Sequence, residues 1–384
     1  MNPRLNEAEA LLQEKARRIC EESVRPEAAS ADAELRFPEA SLQALADSDL
    51  LGVCLPEEYG GAGGSLTDLV LVLEEVGRAS ASLGALIVHQ VGIVGRTLAA
   101  HGSDAQKEQI LPDLIAGKRI ACLAAVTDGA TVARFQAGVG ATGEAGSQKL
   151  DGELASVTGA AVADLFLVPT VSYDPEGETA PGGGVFLIDR GRDGLSVGEE
   201  EQKLGLNGSG TANVALAGVQ VSDEQRLPAD ACGPGVIKQL SDQASLGYAA
   251  VAVGIAQASL DAALELLATS GSDLKRSQSV QWMLADSATE TDAARLMVWY
   301  AAARAATSER TESAAMARLL ACNAAVASSR RAVQVLGQGG GLRSAGVERL
   351  YRDAKMIEIH DGSSEMQRHA AARKLLPDLF DSTY

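Results

Sequence analysis

Basic residues are scarce in this chain: 33 Lys and Arg stand against 51 Asp and Glu, a formal net charge of -18. Binding to a phosphate backbone needs clustered cations, so this surplus of carboxylates excludes nucleic acid as a partner. It does not exclude a small phosphate-bearing ligand, because helix N-termini and a few local basic groups bind one against an unfavourable overall field. Cysteine is thin as well. Cys20, Cys54, Cys122, Cys232 and Cys322 are scattered, odd in number and without metal-ligand spacing. They read as reduced, mostly buried apolar residues, and neither a disulfide framework nor a metal site is expected. No uninterrupted apolar run reaches the roughly 18 residues of a membrane span. Glu7, Glu9 and Glu14 follow Met1 where a signal peptide would be basic and then apolar. These absences predict a soluble, cytoplasmic protein with no membrane partner.

What is present is ample apolar material. A chain of 384 residues, 46% hydrophobic, buries a sizeable core and suggests two or three domains packed as one unit. Residues 1–120 read as an N-terminal helical domain. Leu5 to Ile19 and Leu42 to Leu51 carry helical apolar spacing, and Pro56 to Gly64 is a turn-rich break. Ser65 and Asp68 then mark the capped start of an apolar helix pair that runs to about Gly117. Residues 121–228 change to short β-rich runs at Leu165–Val168, Val185–Ile188 and Asn213–Val221, with Pro175 to Gly184 as a flexible connection. They predict a small antiparallel β-barrel or sandwich. Residues 229–384 return to Ala-rich helical patterns at about 236–270, 277–308, 312–337 and 345–375, a predicted antiparallel four-helix bundle. The expected fold class is mainly α with a central β domain.

The most informative segment lies near the end. Tyr351-Arg-Asp-Ala-Lys-Met-Ile-Glu-Ile-His-Asp-Gly-Ser-Ser-Glu-Met-Gln-Arg368 leads a run of charges into an acidic-Gly-Ser turn. It resembles the C-terminal signature of the acyl-CoA dehydrogenase family, and the resemblance holds in register from about residue 50 to 375. The order helices, β domain, four-helix bundle is that family's order. In the family a carboxylate just before the Gly removes a proton alpha to a thioester carbonyl while the beta hydrogen leaves as hydride to FAD. That position holds Asp361, where most relatives have Glu. Asp reaches roughly 1.5 Å less far, enough to cost about 10²-fold unless substrate or backbone compensates, and an apolar pocket would raise its pKa toward the working range. The other place for a base in some relatives, on the first bundle helix, aligns with Ala244 beside Ser245, and neither removes a proton.

The resemblance also implies binding residues. Thr127 and Thr158 match hydroxyls along the flavin, Ser363 keeps a hydroxyl where Thr is usual, and Glu365 falls at a position that is Glu or Gln. Gln334 and Gly337, in Val-Gln-Val-Leu-Gly-Gln-Gly-Gly340, match residues that receive the adenine end of a neighbouring subunit's FAD. Asp242 matches a carboxylate near the CoA end of the substrate. Tyr248, His360 and Gly362 fall along the substrate pocket, His360 where relatives have Tyr. Several contacts are missing. Gly129 to Arg134 lacks the Pro and Ser of the flavin motif, Ser156 replaces a Trp beside the ring, and Ala268 to Gln278 lacks the Arg-x-x-Phe-Gly that reaches FAD across the subunit interface.

Two readings follow. The first is an FAD-dependent acyl-thioester dehydrogenase, acting on acyl-CoA or acyl carrier protein thioesters and passing electrons to an electron-transfer flavoprotein. The second is a non-catalytic or half-site subunit that pairs with a fully equipped paralogue. Either implies an oligomer, a tetramer built as a dimer of dimers or a heteromer.

Overall fold

A computed structural model describes residues 5–127, 135–136, 139–144, 146–173, 179–180, 183–228, 234–269 and 273–376. The segment Gly129 to Arg134, most of the connection Pro175 to Gly184, part of Ala268 to Gln278, and Cys232 lie outside the described residues. The chain opens with α1 (Glu7–Ile19), α2 (Arg25–Glu34) and α3 (Glu39–Asp47), followed by α4 (Leu66–Ala79), α5 (Ala81–Ile87), α6 (Arg96–His101) and α7 (Asp104–Ile115). Helix α4 starts where the capping pattern places it. The Asp68 amide donates to Ser65 Oγ at 3.3 Å while the Ser65 amide donates to Asp68 Oδ2 at 2.6 Å. Between α5 and α6, Val88–Gly95 winds as a π-type segment, buried throughout.

The strands follow as β1 (Ala121–Leu123), β2 (Val126–Thr127), β3 (Phe135–Gln136), β4 (Val139–Glu144), β5 (Ser147–Val157), β6 (Leu165–Tyr173), β7 (Thr179–Ala180), β8 (Val185–Asp189), β9 (Leu195–Glu200) and β10 (Ala212–Val221). The main sheet runs β1-β6-β4-β5-β10-β9, with β7 and β8 also on β6. It is mixed rather than wholly antiparallel, because β6 lies parallel to both β1 and β4. Among the described residues, only β4 and β5 meet through a tight hairpin. The chain reaches β6 from β5 through the turns of residues 158–164, which reverse its direction relative to β5 and set it alongside β4 and β1.

The C-terminal region contains α8 (Pro234–Thr269), α9 (Gln278–Ala303), α10 (Arg310–Leu336), α11 (Val347–Ile359) and α12 (Ser364–Leu375). The single helix expected over 345–375 is broken in two. Asp361 has φ +48° and Gly362 φ +103°, left-handed conformations that an α-helix cannot contain. Two stretches, Ala81–His101 and Gly235–Thr269, prove long and apolar enough to cross a membrane by composition, contrary to the expectation from uninterrupted runs. Within their most apolar windows 83% and 67% is buried inside the protein, so that apolarity serves the core.

Helix α8 is the axis of the molecule, packing on α4 and α10. It can approach α4 because Gly254 faces the α4 backbone: a Cβ there would lie 2.2 Å from the Glu74 carbonyl oxygen. Ion pairs frame this contact, with Arg295 on Glu74 and Arg17 on Glu75, each at 2.8 Å, and Arg78 on Asp261 at 2.7 Å. Both glutamates are buried, so these pairs satisfy charges that would otherwise oppose the packing. Gly254→Ala is therefore expected to lower stability by about 1–3 kcal/mol or more through overpacking, read as a lowered denaturation midpoint. An unchanged midpoint would contradict the backbone-to-backbone contact.

Candidate active site

Four other parts of the chain converge on the break between α11 and α12. Arg318, on α10 and without exposed surface, reaches across to it. Its guanidinium donates to the carbonyl oxygen of Asp361 at 2.6 Å, to that of Ile357 at 3.3 Å and to that of His360. These carbonyls belong to the unsatisfied C-terminal end of α11, where a cation is favoured by the helix dipole and by the lone pairs left without amides. Arg318 also stands 5.0 Å from the centroid of the Tyr248 ring. The turn is thus held by a residue remote in sequence, and Asp361 is fixed in a conformation that non-glycine residues seldom adopt.

The Asp361 side chain is buried and its Oδ2 collects several donors. The Tyr248 hydroxyl, from the middle of α8, donates at 2.5 Å. His89 Nε2, from the π-type segment, lies 2.9 Å away, and the Thr158 hydroxyl, just past β5, donates at 3.1 Å. The tautomer of His89 follows from its second nitrogen. Nδ1 accepts the Leu123 amide at 3.2 Å, so the proton sits on Nε2 and points at the carboxylate. His360 Nε2 lies 2.5 Å from Thr158 Oγ1. Since the Thr158 proton is used on Asp361, His360 is the donor in that pair.

Burial pushes the Asp361 carboxyl up, but His360, His89 and the hydrogen bonds from His89 and Tyr248 outweigh it and hold the group well below the usual carboxylate range. The expectation of a raised pKa is reversed: the pocket is buried but not apolar, and donors converge on one oxygen. Tyr248 moves the opposite way. Its burial, followed by the adjacent Asp361 charge, raises it well above the ordinary phenol value, so it remains a donor. Burial lowers His360 below the usual imidazole value, while the adjacent Asp361 charge works in the opposite direction.

Of the residues picked from sequence, Asp361, Thr158, Tyr248, His360 and Gly362 come together here. Ser363 lies beside them and caps α12, accepting the Met366 amide at 3.4 Å. Glu365 faces solvent in the first turn of α12. Thr127 belongs to β2, and its side chain lies outside the described residues. Asp242 sits nearer the start of α8, where it takes the Thr311 hydroxyl at 2.8 Å and pairs with Arg310 at 3.2 Å. Gln334 and Gly337 are exposed at the far end of α10, about 24 Å beyond Arg318 along the helix. They do not join the cluster within one chain. Two members escaped sequence reading. His89 is, with Gln90, a polar pair inside the apolar run Leu83 to Val94, and Arg318 is a lone cation on an Ala-rich helix face; each was a visible oddity without a local motif.

A helical shell, a central sheet and a helical bundle gathered around a buried acid and its hydroxyl partners define a flavoprotein dehydrogenase. Residues 6–118 match the family described as acyl-CoA dehydrogenase, N-terminal domain, and residues 233–376 match acyl-CoA dehydrogenase, C-terminal domain. The chain belongs to the acyl-CoA dehydrogenase family. It is 34% identical over 379 residues to the mitochondrial short-chain specific acyl-CoA dehydrogenase of Mus musculus, covering 97% of this chain and 91% of that protein. It is 30% identical over 377 residues to a 3-(aryl)acrylate reductase of Clostridium sporogenes, covering 96% and 99%. The structure of butyryl-CoA dehydrogenase from Megasphaera elsdenii superposes with a TM-score of 0.88 at 26% identity, covering 98% and 100%. These relatives are oxidoreductases, and FAD is the cofactor. The donor set agrees: the Thr158 hydroxyl meets the Asp361 carboxylate, the Ser363 hydroxyl lies two residues on at the start of α12, and both suit the polar edge of a flavin, while the open Gly337 backbone, with φ +60° and no atom within 4 Å of an added Cβ, leaves room for an approaching ligand.

Arg318→Ala is expected to destabilise the fold by about 3 kcal/mol or more, because it strands the α11 carbonyls. Thermal or chemical denaturation reads this directly. Arg318→Lys, which keeps a cation with fewer donors, should fall between the two.

Proposed function

We propose that this chain is an FAD-dependent α,β-dehydrogenase of acyl thioesters in which Asp361 removes the α-proton. The observation that carries this reading is the Asp361 carboxylate itself: buried, held ionised, and fixed between hydroxyl donors on one side and the α11–α12 turn on the other. An ionised carboxylate is the state that can accept a proton, and its fixed placement supplies the orientation a shorter side chain needs. FAD, when bound, supplies the acceptor for the β-hydrogen and its electron pair. Thr158 and Ser363 would hold the ring edge beside Asp361, and an electron-transfer flavoprotein would take the electrons onward.

The substrate's phosphate-bearing arm would enter near Asp242. A cavity of about 60 Å³ there is lined by Arg96, Gln239, Asp242, Gln243 and Arg310 among others. Arg310 is neutralised by Asp242, but Arg96 makes no ion pair or hydrogen bond among the described residues, and burial lowers its pKa. An unmatched cation at a cavity favours an anionic ligand, and CoA and the phosphopantetheine of an acyl carrier protein both bring one. Gln334 and Gly337, distant from Asp361 in their own chain, would serve the adenine end of FAD in a second copy. Exposed Trp282, Leu296 and Tyr300 on α9, with Met316 and Leu320 on α10, support such an assembly.

One observation favours the half-site reading instead. The Thr158 proton is spent on Asp361 and the Ser363 hydroxyl on its helix cap, so both flavin-side groups have partners before any flavin arrives.

The purified chain distinguishes the two readings. A yellow protein with about one FAD per chain, bleached anaerobically by an acyl-CoA, supports the dehydrogenase; a colourless chain that cannot be reconstituted with FAD overturns it. Asp361→Asn should lower flavin reduction at least ~10²-fold while FAD stays bound, in line with loss of a general base. Arg96→Ala should raise KM for acyl-CoA about tenfold with little change in kcat, the pattern of a lost binding contact.

A further inference from the structure

The donors on Asp361 are not shared between its two oxygens. Tyr248, His89 and Thr158 all meet Oδ2, and His360 lies 3.5 Å from that same atom. Oδ1 takes no hydrogen bond among the described residues. We propose that Tyr248 is a positioning residue for Asp361: its hydroxyl, with the ring N–H of His89, clamps Oδ2 so that Oδ1 alone is presented to the substrate. This rests on the dehydrogenase reading. In the step assigned to it, the substrate Cα–H bond breaks and an Oδ1–H bond forms. The C–H electron pair would stay on the substrate and become the Cα=Cβ bond, with FAD, when bound, supplying the acceptor for the β-hydrogen and its pair.

Geometry makes Tyr248 the principal member of the clamp. It comes from the wholly buried stretch 243–256 of α8, has no exposed surface, and makes the shortest of the contacts to Oδ2. His89 is immobilised by the Leu123 amide at its other nitrogen, so it donates but cannot pass a proton onward. Thr158 is shared with His360. An Asp side chain has only two rotatable bonds, and with one oxygen fixed by groups on three different elements its second oxygen has a defined position. The clamp thereby offsets the reach lost with the missing methylene by precision of placement. It also has an electrostatic consequence, since donors aimed at an anion stabilise it and weaken it as a base.

The charged and titratable groups facing Asp361 are His89, His360, Tyr248, Arg318 and Cys122. Tyr248→Phe removes one donor and keeps the ring that packs against Arg318. Loss of a hydrogen bond to a charged group corresponds to a rise of about one to two pH units in the protonation midpoint of the carboxyl. Infrared difference spectra of the FAD-free chain at neutral pH, wild type minus Asp361→Asn, isolate the two carboxylate stretching bands of this residue, whose splitting widens when the hydrogen bonds load one oxygen. The expected result is that the splitting narrows in Tyr248→Phe, measured against a Tyr248→Phe, Asp361→Asn reference. In the FAD-loaded protein kcat should fall more than KM changes. A merely structural role would lower stability without changing the splitting. Identical Asp361 bands in wild type and Tyr248→Phe overturn the proposal. A shifted band in a chain that never reduces FAD with any acyl-CoA would leave the clamp standing and sink the dehydrogenase reading instead.

Discussion

The structure depends most on the contact between Arg318 and the end of α11. A helix that stops inside a protein leaves carbonyl oxygens without amide partners, and water cannot satisfy them there. Arg318 answers three of them with one planar fork, which is possible because α10 runs alongside and delivers the guanidinium from a fixed direction. This contact permits the chain to leave the helix through a left-handed Asp361 rather than through a long solvated loop. The cation then lies next to the Tyr248 ring, so its burial is offset by three carbonyl acceptors and an aromatic face. Structure and chemistry are therefore hard to separate here: the residue that ends the helix also sets the acid.

The electrostatic character of the site follows from that arrangement. Burial drives a carboxyl toward its neutral form, as Asp353 shows about two helix turns earlier, where it is pushed up to about 6 although the Leu206 amide donates to it and the charges of Arg349 and Arg352 act against the shift. Asp361 is just as enclosed and goes the other way. The difference is the number and aim of the donors, with a phenol and an imidazole directed at one oxygen and a threonine hydroxyl completing the set. The two aspartates, eight positions apart on the same stretch, show that a buried carboxylate takes its acidity from its hydrogen-bond partners more than from its depth.

Much of this was legible in the sequence, for reasons that differ by element. The capped start of α4 is a local signal, in which neighbouring residues satisfy one another, so Ser65 and Asp68 were readable from spacing; Asp361 and Gly362 were readable through the family resemblance, while helical periodicity ran straight through the turn they make. The Ala-rich helices were readable from periodicity, although their apolar runs, broken by single polar residues, hid how much of Ala81–His101 and Gly235–Thr269 lies in the core. The parallel pairings of β6 were not readable, because they depend on where the turns after β5 send the chain. His89 and Arg318 were not readable either. Each meets Asp361 only in the folded state, from 272 and 43 positions away, and a single polar side chain in an apolar helix carries no sign of its partner. The raised pKa expected for Asp361 failed for the same reason, since its neighbours were unknown.

The two ends of the implied cofactor make different demands on this chain. Thr158 meets the Asp361 carboxylate and Ser363 starts the helix just after it, whereas Gln334 and Gly337 lie about 24 Å farther along α10 and face outward. A rigid helix fixes that separation, so under the proposed reading the second pair would serve a site only in another copy or a related chain. The residues missing from the family pattern sort along the same division. The ring-side changes, Ser156 for Trp and Ser363 for Thr, trade size but retain polar groups, while the absent Arg-x-x-Phe-Gly removes a cation that would have crossed the interface. Asp361 and its clamp are built wholly from one chain. Selection on the acid and on the cofactor's distal grip can therefore act separately, and a chain can keep the first in full order while the second depends on what it is assembled with.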